Sequence, residues 1–586
     1  MKTFLKTALA CALGVVIAIL VLGKLAFMIL SGIAAFSDMA YTPQPHTVFK
    51  LELCGELEER SHDDFYKLLW GDDSGVLGLD DVLLAIREAK DNSNIDGIYL
   101  KLDGLSAGYG SLAEIRNELA DFKQRGKFIV CYADNFYQSE YFLASIADEI
   151  YLNPMGRIDL SGITSEHIFY TDVLDKLGIG IQVFRVGRFK SAIEPFTNTQ
   201  MSDANRKQTQ QYISSIWNSV LTGISDTRNI PVDTLNQYAD SLFIFQPADK
   251  SVSTHLVDQL AYQAQIEDRL KFLTFTHPDE ELNVATLSDM ISIENDLGYY
   301  EESEENEIAI VYATGEIDGM DDEENINSQE IVSVLDEIRK DPDIKGVVLR
   351  INSPGGSLFG SEQIWAAIER LKAEKDVVSS MSDYAASGGY YIASNSDRIF
   401  AQPTTLTGSI GIFGIIPEAE ELLTEKIGFT FDEVKTNKYG SFPSLHKKMT
   451  EAEKAFFQKE IENGYHQFIE RCAWGRKVSP DSIAKIAEGR VWTGADAQQL
   501  GLVDELGGLR EAVNWIAQKN DLYSFETVEY PPKKTFLEEL SSNMGATIQA
   551  RLLHLWGGEM AKQLKTVKQL KEIYPVQARM EPFVLK

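Results

Sequence analysis

The sequence has few cysteines and few basic residues for its length. Its four cysteines in 586 residues lack both the paired spacing of a zinc site and the pattern of a disulfide framework. Lysine and arginine number 55 against 88 acidic residues, so the formal net charge is −33. A nucleic-acid-binding surface needs concentrated positive charge, and nucleic acid is therefore excluded as the main partner. Phosphate-loop and zinc motifs are also missing, so we expect no cofactor and no metal.

A long hydrophobic run occupies the N-terminus. Between residues 7 and 36 almost every residue is apolar or small, and Lys24 is the only charged one. A helix of that length, at about 1.5 Å per residue, exceeds the roughly 30 Å hydrocarbon core of a bilayer, and a cleavable signal has only about 7–15 apolar residues. Lys2 and Lys6 precede the run, which favours a cytoplasmic N-terminus. We expect residues 1–40 to form a cytoplasmic stub and a transmembrane anchor, with the remainder across the membrane.

The rest of the chain contains an internal duplication. NIDGIYLKLDG around Gly97 parallels DIKGVVLRINS around Gly346, and SEYFLASIADEIYLNP parallels GGYYIASNSDRIFAQP, both at an offset of 249 residues. LELCGEL and IVYATGEI form a further pair before these segments, and HLVDQL and GLVDELGG form another after them. A constant offset over long segments indicates a repeated domain.

We expect a first copy over residues 41–300 and a second copy over residues 305–530, joined near an acidic run that begins at Glu301. A helical tail is expected over residues 531–586. Within each copy, apolar runs such as GVVLRIN alternate with amphipathic stretches such as SEQIWAAIERLKAEK. Continuous Val/Ile runs suit buried parallel strands, and strands that alternate with helices predict an α/β fold.

Two short motifs in the second copy have the residues that catalysis needs. A predicted strand runs into NSPGG at residues 352–356, and paired glycines permit the backbone conformations that aim N–H groups at an oxyanion. Thirty residues later, AASGG sets Ser387 among small residues and offers the N–H of Gly388 as a second donor. Either motif alone is also typical of an ordinary turn or a capped helix. The ordered pair predicts a serine nucleophile.

A serine nucleophile needs a base at neutral pH. None of the eight histidines has a local signature that ties it to Ser387. A lysine can serve instead where burial lowers its pKa enough to supply the neutral amine. The residues by themselves leave the identity of the base open.

SPGG followed by AASGG resembles the Clp-protease and crotonase-type superfamily. The anchor, the duplication and the length together resemble its signal peptide peptidase A family, serine peptidase family S49. Further segments similar to that family are GRFKSAIEPF, LTGSIGIFG and VWTGADAQQLGLVDELG. The resemblance covers nearly the whole chain and implies two tandem Clp/crotonase-like domains, of the ββα superhelical type, behind a transmembrane helix.

The resemblance implies a membrane-anchored serine endopeptidase with a Ser-Lys dyad. Carried over to this sequence, Ser387 is the nucleophile, Lys190 is the general base, and Ser409 helps to orient the lysine. The spacing leaves open which glycine of the SPGG turn joins the other oxyanion donor. The candidate donors are Gly388, Gly355 and Gly356.

The family also implies a substrate, a location and an assembly. The expected substrates are peptides, namely the remnant signal peptides of exported proteins. The expected location is the bacterial inner membrane, with the N-terminus in the cytoplasm and the catalytic domains on the periplasmic side. Family members form rings, which implies a homotetramer in which adjacent protomers complete each other's sites.

The duplication gives an independent reason to pair the two copies. The 249-residue offset sets Gln138 opposite Ser387, so the first copy lacks the nucleophile. Lys190 falls opposite Tyr439 or Gly440, so the second copy lacks the lysine. A working site must therefore join one copy to the other. The sequence is compatible with a site within one chain and with a site between neighbouring chains.

Two other functions stay open at this level. A crotonase-type acyl-CoA enzyme would use the same oxyanion turn without a serine nucleophile and would bind CoA. A catalytically inactive membrane scaffold would keep the fold alone, which the joint presence of Ser387, Lys190 and Ser409 disfavours.

Overall fold

A computed structural model describes residues 41–61, 77–293, 306–319, 325–533 and 576–580, and the backbone of 584–585. The predicted anchor over residues 1–40 and residues 301–305 of the acidic run lie outside the described residues. Among the helices that are described, none has both the length and the apolar character needed to cross a bilayer.

Strands are numbered along the chain. They are β1 (Thr47–Glu58), β2 (Leu77–Gly78), β3 (Ile95–Ser106), β4 (Phe128–Ala133), β5 (Glu149–Leu152), β6 (Ser165–Glu166), β7 (Gly180–Val186), β8 (Gln259–Leu260), β9 (Val284–Ala285), β10 (Glu307–Thr314), β11 (Ile344–Ser353), β12 (Gly355–Ser357), β13 (Asp376–Ala386), β14 (Arg398–Ala401), β15 (Leu406–Gly408), β16 (Ile412–Glu418), β17 (Val491–Thr493), β18 (Glu505–Leu506), β19 (Glu526–Tyr530), β20 (Val576–Arg579) and β21 (Val584–Leu585).

The α-helices are numbered in the same way. They are α1 (Leu79–Asp91), α2 (Tyr109–Gln124), α3 (Gln138–Ala144), α4 (Thr171–Leu177), α5 (Glu194–Thr197), α6 (Asp203–Arg228), α7 (Val232–Asp240), α8 (Ala248–Ser253), α9 (Gln263–Leu273), α10 (Leu287–Ile291), α11 (Ser328–Lys340), α12 (Leu358–Leu371), α13 (Gly388–Ala393), α14 (Glu451–Arg476), α15 (Pro480–Ile486), α16 (Gly494–Gln499) and α17 (Leu509–Lys519).

The first copy contains one parallel sheet. Its strands follow the order β2-β1-β3-β4-β5-β8, and β9 pairs with β1. Leu100 on β3 packs in the core on the α2 side of the sheet, whereas its neighbour Tyr99 packs on the α9 side with Ile266. Strands buried on both faces read as continuous apolar runs, which is the pattern seen in the sequence.

The second copy contains a similar sheet, with strands in the order β17-β15-β13-β11-β10-β19 and with β14 beside β13. Leu349 on β11 packs on the α12 side, and Val348 packs on the α17 side with Ile516. Both copies are thus largely parallel sheets between helices. The predicted α/β class is confirmed.

The duplication recurs in a buried hydrogen bond. The hydroxyl of Tyr141 donates to the carbonyl of Leu256 at 2.6 Å, and the hydroxyl of Tyr390 donates to the carbonyl of Leu502 at 3.0 Å. Tyr390 follows Tyr141 by 249 residues, which is the offset that the sequence motifs share. In each copy this bond ties the helix after the third long strand, β4 or β13, to the segment before a short edge strand, β8 or β18.

A small third sheet joins the two copies. Its order is β12-β20-β16-β7, and β7 of the first copy pairs antiparallel with β16 of the second, with Val183 opposite Ile415. The C-terminal strand β20 lies between β12 and β16 and is antiparallel to both. This sheet connects the segment before Lys190 to the segment that follows Ser409.

The predicted helical tail is wrong at its described end. Residues 534–575 lie outside the described residues, but Val576–Arg579 forms a strand. Val576 and Ala578 are buried while Gln577 and Arg579 are partly exposed, and this period of two belongs to a strand.

Candidate active site

Ser387 stands at a sharp turn between β13 and α13. Its φ of 55° and ψ of −111° are strained for a residue with a Cβ atom. Backbone bonds hold the turn: Ser387 N–H donates to the carbonyl of Gly408 at 2.8 Å, and Tyr391 N–H donates to the carbonyl of Ser387 at 2.8 Å. Gly389 must be glycine because an added Cβ would lie 2.7 Å from the carbonyl oxygen of Ser353. Such a strand-to-helix elbow presents a nucleophile at the end of a sheet.

Lys190 reaches this serine from the first copy. Its Nζ lies 2.7 Å from Ser387 Oγ, 3.1 Å from Ser409 Oγ and 3.1 Å from the carbonyl oxygen of Ser409. Lys190 is 1% exposed, and burial lowers the pKa of its ammonium well below the usual value. Burial is the cause of this shift, and no carboxylate in the described part of the chain forms an ion pair with the amine. The neutral amine is therefore favoured.

A segment of the second copy holds Lys190 in place. Phe189 N–H donates to the carbonyl of Glu488 at 2.9 Å, and an added Cβ on Gly489 would lie 2.7 Å from Lys190 Cβ. The Gln208 amide donates to the carbonyl of Phe189 at 3.0 Å and accepts from Val491 N–H at 3.3 Å. Sequence reasoning missed Gly489 and Gln208, although the family segment that begins at Val491 starts two residues after Gly489.

Ser409 faces the lysine from a strained turn of its own. Its φ is 50°, and its N–H donates to the carbonyl of Arg490 at 2.7 Å. The side chain is 1% exposed. Both its hydroxyl and its carbonyl oxygen are directed to Lys190 Nζ, so the residue fixes the amine opposite Ser387 Oγ.

The glycine turn lies beside the C-terminal strand. Gly356 on β12 is opposite Ala578 on β20, and Gly355 N–H donates to Ser353 Oγ at 3.2 Å. The carbonyl oxygen of Ala578 lies between the predicted oxyanion glycines. Cβ atoms added to Gly355 and to Gly388 would lie 2.1 Å and 3.1 Å from it. A peptide carbonyl thus lies next to Gly355 and next to Gly388, the residue that follows Ser387.

Lys190 and Ser387 meet within one chain. Completion of sites between neighbouring protomers stays a prediction, but these two side chains come together without a second chain. The reason is the third sheet, because pairing of β7 with β16 brings the segment before Lys190 against the second copy of the same chain. Of the two geometries that the sequence allowed, the structure has the intramolecular one.

A buried polar cluster joins the two copies behind the site. Arg350 on β11 is 1% exposed and donates to Glu59 at 2.8 Å, to Glu114 at 2.7 Å and to Ser380 Oγ at 2.9 Å. Both glutamates belong to the first copy. Asp383 on β13 accepts from the backbone N–H groups of residues 110 and 111 at 2.7 Å and 3.0 Å. The strands that lead to NSPGG and to Ser387 are thus fixed to the copy that carries the lysine.

An α/β fold with a buried serine at a strand-to-helix elbow has the architecture of a serine hydrolase. The model of Peptidase family S49 matches residues 121–274 and 369–523, one region in each copy. The chain belongs to this family of serine peptidases, and the predicted family is confirmed. The two matched regions also support a tandem repeat of one domain.

Relatives extend over most of the chain. "Protease 4" of Haemophilus influenzae is 38% identical over 74% of this chain and 72% of the relative, and "Protease 4" of Salmonella typhi is 37% identical over 80% and 77%. "Serine protease SPPA, chloroplastic" of Arabidopsis thaliana is 30% identical over 78% and 68%. These proteins support a peptidase over the crotonase-type alternative.

Proposed function

We propose that the protein is a membrane-anchored serine endopeptidase that uses Ser387 and Lys190 to degrade remnant signal peptides. The observation that carries the proposal is the 2.7 Å separation of Lys190 Nζ and Ser387 Oγ in a site where both side chains are buried. A buried lysine that no described carboxylate neutralises destabilises the fold, and its position beside a strained serine points to catalysis.

The reaction proceeds through an acyl-enzyme. Neutral Lys190 accepts the proton of Ser387 Oγ as Oγ bonds to the carbonyl carbon of the peptide, and the carbonyl oxygen becomes an oxyanion. When the C–N bond breaks, the Lys190 ammonium returns its proton to the leaving amine. The same amine then deprotonates a water molecule, which hydrolyses the ester and restores Ser387.

The oxyanion donors are Gly388 and Gly356. Gly355 N–H already donates to Ser353 Oγ. Gly356 instead lies opposite Ala578, whose carbonyl oxygen is next to the glycines, in the antiparallel pairing of β12 with β20. Two backbone donors at one oxygen stabilise the tetrahedral intermediate, and the loss of one such donor elsewhere costs about 10²–10³ in kcat.

The C-terminal strand gives a guide to how a substrate binds. We infer that peptides lie extended between β12 and β16, as Val576–Arg579 does, with main-chain bonds to both edges. Ala578 then occupies the position before the scissile bond. Its complete burial favours a small residue there.

The apolar run of residues 7–36 supports anchoring, since a tethered peptidase meets signal peptides that remain in the bilayer. The N-terminal lysines support a catalytic region on the far side of the inner membrane. A homotetrameric ring stays a prediction, and because the dyad lies within one chain, assembly is not required to complete it.

The pH profile of kcat/KM should report the neutral amine. Only the unprotonated lysine accepts a proton, so activity rises as the pH passes upward through the folded-state pKa of Lys190. Because burial lowers that pKa well below 10.5, the rise should be complete well before that pH. A rising limb centred at pH 10.5 or above would contradict a buried neutral lysine.

Release of the C-terminal strand should improve substrate binding. Ala578→Pro removes an N–H group from the ladder beside β12, so the groove should open and KM should fall by about tenfold at unchanged kcat. Gln577→Ala keeps the backbone donors and is the matched control. Equal KM values for the two variants would show that this strand does not obstruct substrates.

The substrate proposal is tested by mass spectrometry of digests. A synthetic signal peptide in detergent micelles should be cut internally, a folded soluble protein should stay intact, and Ser387→Ala should cut neither. An intact signal peptide, or cleavage that persists in Ser387→Ala, would overturn the proposal.

A further inference from the structure

The position in the first copy that corresponds to the nucleophile is filled by polar side chains. Gln138, which the 249-residue offset sets opposite Ser387, accepts from the N–H groups of Ser161 and Gly162 at 3.1 Å and 2.8 Å. Glu140 accepts from the N–H groups of Gly104 and Leu105 at 2.7 Å and 2.9 Å. These last two residues correspond to Ser353 and Pro354 by the same offset. Side-chain oxygens of the first copy therefore accept backbone N–H groups around the position that the nucleophile has in the second copy.

The first copy nevertheless has a strand edge that corresponds to the edge of β16 in the second copy. β6 (Ser165–Glu166) corresponds by the offset to Gly414–Ile415 on β16. In the second copy, Gly414 pairs antiparallel with Val576 of the C-terminal segment. In the first copy, Ser165 pairs antiparallel with Leu585 of the same segment. The equivalent backbone position thus receives an added strand, in the same direction, in both copies.

An open cleft of about 510 Å³ adjoins this edge. It is bounded by the side chain of Gln138 and by residues 161–164, which lead directly into β6. Ile163, Ile213 and Trp217 contribute apolar surface to it. The cleft has room for side chains of a peptide that lies along β6.

We propose that the first copy retains a non-catalytic peptide-binding groove, formed by the edge Ser165–Glu166 and the adjoining cleft, that takes an extended peptide by strand addition. Its occupant in this structure is the chain's own Val584–Leu585. Strand addition relies on main-chain bonds and so tolerates many sequences. The cleft, which has both polar and apolar lining residues, adds contacts for the side chains of the peptide. The duplicated fold thus provides one groove that cuts and a second that only holds, and this goes beyond the proposed peptidase activity.

The proposal is tested by fluorescence anisotropy with the full chain in a Ser387→Ala background. The probe is a fluorescein-labelled peptide MEPFVLK, the sequence of residues 580–586. Val584→Pro with Leu585→Pro should prevent the chain's own tail from pairing, and the probe should then bind at least about tenfold more tightly. Adding Ser165→Pro with Glu166→Pro should reverse this gain, because proline lacks the N–H donor. Ser165→Ala with Glu166→Ala is the matched control and should retain it.

A second probe avoids any change to the edge. The same peptide with N-methylated valine and leucine should bind at least about tenfold more weakly, since it cannot donate from those positions. In chains that keep Ser387, hydrolysis of a short peptide should be unchanged by the Ser165 and Glu166 substitutions. Equal probe affinity for the proline and alanine edge variants, or for the methylated and unmethylated peptides, would overturn the proposal. Because the readout is binding, the result is independent of whether the peptidase assignment holds.

Discussion

Lys190→Met should lower kcat for peptide hydrolysis by about 10²–10⁴-fold, the usual contribution of a general base, while it makes the folded protein more stable at neutral pH. Burial lowers the folded pKa of Lys190 below its unfolded value, so at a pH between the two values unfolding takes up a proton. As the pH falls below the unfolded pKa of the lysine, this uptake lowers the free energy of unfolding by about 1.4 kcal/mol for each pH unit. Once the pH is below the folded pKa, the effect stays constant.

The sign of this effect is distinctive. Burial lowers the folded pKa of Lys190, so wild-type stability should increase as the pH rises from that pKa towards the unfolded value. The gain from Lys190→Met should shrink over the same interval, by about 1.4 kcal/mol for each pH unit. Urea unfolding at several pH values measures it. A loss of stability in Lys190→Met at pH 7 would contradict the assignment of a neutral amine.

A mixing experiment serves as a control for the geometry. Ser387→Ala and Lys190→Met are each inactive, and every chain in a mixture carries one defect. Because the two side chains meet within one chain, co-refolded mixtures should stay inactive. Recovered activity would mean that protomers exchange members of the dyad.

Arg350→Met should destabilise the protein by about 3–5 kcal/mol, because it leaves the carboxylates of Glu59 and Glu114 buried without their cation. Arg370→Met is the matched control, since Arg370 is half exposed and pairs with Asp336 at 3.4 Å, a contact worth less than about 1 kcal/mol. Urea denaturation compares the two. Similar losses for both variants would argue against a buried interdomain cluster.

The active site would be affected as well. Arg350 binds β11 and β13 to the copy that carries Lys190, so its loss should also lower kcat while KM changes less, because alignment of the dyad is disturbed. Ser387→Ala in the same background shows how much residual activity is independent of the dyad.

The sequence predicts much of this site, and for physical reasons. Ser387 is marked by the small residues that a strained elbow requires, and Lys190 by a family segment together with its absence from the other copy. The parallel sheets follow from continuous apolar runs. These sequence patterns are local, so they can be recognised without knowledge of the fold.

The remaining features depend on contacts that no local pattern records. Gly489 and Gln208 hold Lys190 from positions 299 and 18 residues along the chain, through packing and backbone bonds. The pairing of β7 with β16, which makes the dyad intramolecular, joins strands from different copies. The C-terminal strand β20 belongs to a tail for which the sequence predicts helix. Its extended conformation depends on pairing with the edges of β12 and β16.

We propose that buried Lys190 activates Ser387, and labelling by a serine-directed acylating probe tests this proposal most directly. We predict one adduct, mapped by mass spectrometry to Ser387, whose rate of formation rises with pH through the lowered pKa of Lys190. The adduct should be nearly absent in Lys190→Met. Labelling of Ser387 at the same rate in Lys190→Met, or an adduct on another residue, would contradict the account.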